Sequence, residues 1–74
     1  MVQKEMPVLD YIIVCISEFA CEYEMHMRDA YVYLSNYKGI EFLKEFYDVE
    51  HTLSFDDVMR DVATVCRKNG GELI

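Results

Sequence analysis

Val8-Leu9-Asp10-Tyr11-Ile12-Ile13-Val14-Cys15-Ile16-Ser17-Glu18-Phe19-Ala20-Cys21-Glu22-Tyr23 is the stretch on which the fold turns. It contains no glycine, and the chain's single proline, Pro7, stands just ahead of it, where a first helical turn tolerates that residue. At ~100° per residue, Val8, Leu9, Tyr11, Ile12, Ile13, Cys15, Ile16, Phe19, Ala20 and Tyr23 cover an apolar arc of roughly 200°. Asp10, Ser17, Glu18, Cys21 and Glu24 fall mainly opposite, with Val14 stranded among them. So broad a face predicts a central helix touched by several others.

Working outward, Met27, Ala30, Tyr31, Leu34 and Tyr37 recur at three- and four-residue spacing and predict a second helix over 27–37. Gly39 is read as its left-handed stop. A third, shorter helix is predicted from Ile40 to about Tyr47, with an extension to Glu50 left open, and Ile40, Leu43, Phe46 and Tyr47 on its inner side. Ser54 followed by Asp57 makes a capping-box-like start, with Asp56 and Asp57 near the positive end of the helix dipole. Phe55, Val58, Met59, Val62, Val65 and Cys66 then hold helical spacing until Arg67, Lys68 and Asn69-Gly70-Gly71 end the fourth helix. No segment alternates apolar and polar residues as a half-buried strand does. The fold class expected is therefore all-α: one domain over residues 1–74, a compact bundle of about four helices, with frayed ends near 1–6 and 70–74.

With 74 residues, of which 53% are hydrophobic, including ten aromatics and five Met, the chain should fold. It also carries more apolar side chain than a body this small hides easily. Fourteen Asp and Glu against seven Lys and Arg give a formal charge of −7, which repels a phosphate backbone and argues against direct nucleic-acid binding. The same charge disfavours anionic membranes. The start, Met1 to Pro7, lacks a basic segment followed by an apolar core, and the longest apolar run, Tyr11 to Ile16, is far too short to span a bilayer. Three cysteines without paired spacing fit a reducing compartment, and a cytoplasmic protein is expected.

Cys21, His26, His51 and Cys66 are the conceivable metal ligands, and their spacing matches no zinc pattern, so no metal or cofactor is expected. Cys15 and Cys66 lie on apolar faces and read as packing residues, whereas Cys21 projects to the polar side. There is no glycine-rich phosphate loop and no nucleophile paired with a base, so no catalytic residue is assigned and an enzyme is not expected. The residues that miss the inward faces are Val14, Val32, Tyr33, Phe42 and Val49, and these are the candidate contacts for a protein partner. The segment Phe46-Tyr47-Asp48-Val49-Glu50-His51-Thr52 combines aromatics, a titratable imidazole and a hydroxyl ahead of a helix cap. Its His51 and Thr52 are read as hydrogen-bonding residues that tie the turn.

Cys15-Ile16-Ser17-Glu18-Phe19-Ala20, Asp29-Ala30-Tyr31-Val32-Tyr33-Leu34, Gly39-Ile40-Glu41-Phe42-Leu43 and Tyr47-Asp48-Val49-Glu50-His51-Thr52 together resemble a small bacterial family, domain of unknown function 3791. The Tyr-Asp-x-x-His-Thr string, with Tyr47, Asp48, His51 and Thr52, is the most distinctive part. Glu50 stands where the resemblance leads one to expect an apolar residue. The resemblance implies no activity; members of the family tend to be encoded beside a protein similar to ADP-ribosyltransferases and read as a toxin. It therefore points to an accessory or antitoxin-like partner. The expected function is a non-catalytic protein-interaction module, with a structural or regulatory homodimer as the alternative and a metal or thiol sensor third.

Overall fold

The computed structural model describes residues 7–72. Of the ends expected to fray, at 1–6 and 70–74, residues 1–6 and 73–74 lie outside the described residues. Within them the chain forms five helices and no strand: α1 (Val8–Glu22), α2 (Met27–Asn36), α3 (Gly39–Glu45), α4 (Tyr47–Glu50) and α5 (Phe55–Lys68). This is the all-α bundle that the periodicity predicts, with the third helix divided in two.

α1 is the central element, packed against α2, α3 and α5. It buries Tyr11, Ile12, Cys15, Ile16, Phe19 and Ala20. The 200° arc is too generous, however: Val8, Leu9 and Ile13 on its flank remain exposed. Six buried side chains on a narrower stripe suffice to cover the neighbours. The helix ends in a Schellman arrangement, in which Glu24 takes a left-handed φ of 54°, Met25 N–H donates to Ala20 O at 2.9 Å and Glu24 N–H to Cys21 O at 3.3 Å.

α2 presents Ala30 and Leu34 to the core, with Tyr33 and Tyr37 packed beside them. Met27 and Tyr31, placed inward by the sequence reading, point outward, and Tyr33, placed outward, points in. The true stripe is 30, 33, 34, 37, the ideal i, i+3, i+4, i+7 set. The left-handed residue after α2 is Lys38, with φ 71°, and not Gly39. Gly39 instead opens α3 and is buried, because a Cβ there would lie 2.7 Å from Leu34 Cδ2 and 3.0 Å from Cys66 Sγ. Glycine is needed here for close packing and not for a turn.

Phe46 leaves helical geometry (φ −107°, ψ 24°), which ends α3 and redirects the chain into the single turn of α4. Its ring, placed inward by the periodicity, is 45% exposed and lies against Phe42, with centroids 5.2 Å apart. α5 starts as its sequence indicates: Ser54 Oγ accepts the Asp57 N–H at 3.2 Å. It buries Val58, Met59, Val62, Ala63 and Cys66, while Phe55 and Val65, counted inward, sit at the edge. Gly70 at φ 95° closes the helix, and Gly71 N–H reaches back to Cys66 O at 2.8 Å. Gly71 is buried beside Tyr33 and Tyr37, so the docked chain extends past the point where fraying was expected.

Candidate functional site

The five candidate contact residues do not form one surface. Val32 on α2 and Val49 on α4 are exposed, at 46% and 59% of their area. Val14 is half-buried on the outer side of α1. Tyr33 is half-buried against the core: its ring stacks on Phe19 at 5.7 Å and packs against Tyr37 at 5.0 Å. An amphipathic ring with aromatic neighbours on two sides is already partnered within its own chain. Phe42 packs on the core and also lines an open groove of about 330 Å³ between α3 and α5, with Phe46, Val65, Lys38, Glu41 and Glu45 among the other lining residues.

The Tyr47–Thr52 segment is tied as its residue types suggest. The imidazole of His51 stacks on the Tyr47 ring at 4.5 Å and 12° between planes, and its Nδ1 donates to the Tyr47 carbonyl at 2.6 Å. Thr52 Oγ1 donates to Val49 O at 2.7 Å. Asp48 is exposed. Tyr47 also meets Tyr11 edge-on, with centroids 5.3 Å apart, so the turn is fixed to α1.

At the centre of this turn lies a residue to which the sequence reading gave no role. Glu50 is only 5% exposed, and it is the buried charged side chain of the described residues. Its carboxyl group faces Asp61 on α5 within hydrogen-bonding reach, and Asp57 is near enough to act on it by charge. Oε1 is buried without a hydrogen-bond partner, as is the hydroxyl of Tyr11. Burial, followed by the hydrogen bond and the negative charge of Asp61, pushes the Glu50 carboxyl up to about 7. Burial likewise raises the Tyr11 hydroxyl and pushes the Cys15 thiol beside it up to about 11, with the Glu50 charge contributing to both. The signal was present in the sequence: Glu50 follows Leu43 by seven residues and the half-buried Tyr47 by three, a spacing at which an apolar residue fits.

The thiols offer little chemistry. Burial pushes Cys66 up to about 11, so it and Cys15 are held as neutral thiols, while Cys21 is exposed. Among the described residues no group of three His, Cys, Asp or Glu side chains is arranged to hold a metal ion. No helix among them is long and apolar enough to cross a membrane. A second depression, of about 450 Å³, lies between the end of α1 and α5 and mixes Glu22 and Asp56 with Arg60 and Arg67.

A small all-helical bundle with a tied Tyr-Asp-x-x-His-Thr turn is thus the class that fold and site define. The chain belongs to the family described as "Protein of unknown function (DUF3791)", whose model matches residues 10–69. That span contains all five helices but for the first two residues of α1. No curated protein and no solved structure matches the chain.

Proposed function

We propose that the chain is a cytoplasmic, non-catalytic protein-interaction module that serves as an antitoxin-like or accessory subunit for a partner encoded nearby. The observation that carries this reading is the open groove between α3 and α5, where Phe42, Phe46 and Val65 remain accessible in a domain whose core is already closed. Exposed aromatics beside a groove are the kind of anchor that protein interfaces favour. Val49, on the following turn, is exposed as well, apart from the groove. The net charge of −7 favours a basic partner over nucleic acid. The resemblance to a family encoded beside ADP-ribosyltransferase-like proteins supplies the candidate.

Co-expression of the chain with that neighbouring protein tests the proposal. The two are expected to copurify, and Phe46→Asp, at an exposed position, is expected to separate them while the variant keeps its helical spectrum. Independent elution of the two proteins, with the neighbour's toxicity unchanged, would sink the reading. A concentration-dependent dimer that dissociates with the same substitution would assign the groove to a second copy instead.

A further inference from the structure

Glu50 reaches from a one-turn helix across to α5, and what it meets there is another carboxylate. The groups that face it come from two sides, Tyr11 and Cys15 from α1 and Asp57 and Asp61 from α5, while Tyr47, Asp48 and His51 are the titratable residues of its own turn. The two carboxylates of α5 are the charges acting most directly on it, and of these Asp57 is engaged by Arg60 at 3.2 Å. Two carboxyl groups in hydrogen-bonding reach are attractive when they share one proton and repulsive when both ionise. The buried, unpartnered Oε1 removes the option of stabilising a second charge through the protein.

We propose that Glu50 and Asp61 form a proton-sharing latch that holds α4 against α1 and α5 and opens when the shared proton is lost. The proton resides on Glu50 and donates to Asp61. When it leaves to water, two negative charges face each other at a buried contact. α4 is the element built to yield, since it is a single turn bounded by Phe46 on one side and the Thr52–Ser54 link on the other. Its release withdraws the Tyr47 ring from Tyr11 and exposes the apolar side chains beneath. The group acquires its proton near neutral pH, so the latch works within the range a bacterial cytoplasm spans.

Amide hydrogen exchange, corrected for intrinsic rates, reads the latch directly. The His51 and Thr52 amides, which bond to Tyr47 O and Val49 O, are expected to lose about tenfold in protection between pH 6 and pH 8, while the Val62 amide in α5 loses much less. Glu50→Gln, whose amide can donate to Asp61 as the protonated acid does, is expected to abolish the step. His51→Gln is expected to preserve it. A uniform loss across α4 and α5, no loss, or a step that survives Glu50→Gln and vanishes in His51→Gln would each overturn the latch. Should the glutamine variant not fold, the side-chain carboxyl of Glu50 in the unaltered protein can be titrated by NMR; an ordinary carboxylate midpoint also overturns it.

Discussion

Gly39 lies so close to Leu34 that an added Cβ would stand 2.7 Å from Leu34 Cδ2, and the same atom would press on Cys66 Sγ at 3.0 Å. Both neighbours are fully buried, so neither can swing into open space. This contact joins α2, α3 and α5 at one point. Gly39→Ala is therefore expected to destabilise the fold by about 1 to 3 kcal/mol, despite alanine's better helix propensity. Urea denaturation checks it; an unchanged or raised midpoint would show that Leu34 can move aside.

Tyr33 invites substitution as an interface residue and is expected to behave as a core one. Replacing it by aspartate removes the stack on Phe19 and sets a charge beside Tyr37 and Gly71. The cost expected is about 3 kcal/mol or more, a large part of the stability of a domain this small. Circular dichroism should show lost helicity or a sharply lowered Tm. By contrast, Val32→Asp, on the exposed side of the same helix, is expected to change stability by less than ~0.5 kcal/mol.

Ser54→Ala should lower stability by about 1 kcal/mol, since the Asp57 N–H at the start of α5 would lose its side-chain acceptor. Ser54→Asp should retain most of the capping. Thermal melts of the three proteins distinguish capping from a loss specific to the hydroxyl.

The pH dependence has a definite sign. Glu50 binds its proton more tightly in the folded chain, at about 7, than at its ordinary value of 4.5. Its contribution is fully present below 4.5 and is lost as pH rises towards 7. The loss attributable to this residue is on the order of 2 to 3 kcal/mol. Glu50→Leu, which replaces a buried ionisable group by an apolar one in the stripe of Leu43 and Tyr47, is expected to be more stable than the unaltered protein at pH 8 by about 1 to 3 kcal/mol. The difference should shrink near pH 5. Denaturant midpoints at the two pH values decide it, and a gap that widens towards acid would reverse the assignment.

The two long helices were legible because each carries its own punctuation. α1 follows Pro7 and keeps one dense apolar stripe; α5 opens on Ser54 and closes on Gly70. α2 was harder, since Met27, Tyr31, Val32, Tyr33 and Tyr37 surround Ala30 and Leu34 on the wheel, and tyrosine suits either side of a helix. Which tyrosines turn inward depends on the partner helices, and the pairing of Tyr33 with Phe19 is a tertiary fact. Gly39 looked like a stop because glycine favours a left-handed backbone, yet Lys38 adopts that conformation and the glycine is required by Cys66, far along the chain. The tied turn at His51 and Thr52 was readable from local hydrogen-bonding chemistry. The meeting of Glu50 with Asp61 was not, because it depends on how α4 and α5 cross.

Two of the three thiols, Cys15 and Cys66, are sealed inside the bundle, and Cys21 stands on its surface. The unmodified chain thus carries its own clock for unfolding: a thiol reagent should consume one sulfur promptly and the other two only as fast as the helices part. Because Cys66 abuts Gly39 and Cys15 neighbours Tyr11, the two slow reactions time the loss of two different packing contacts without any engineered label.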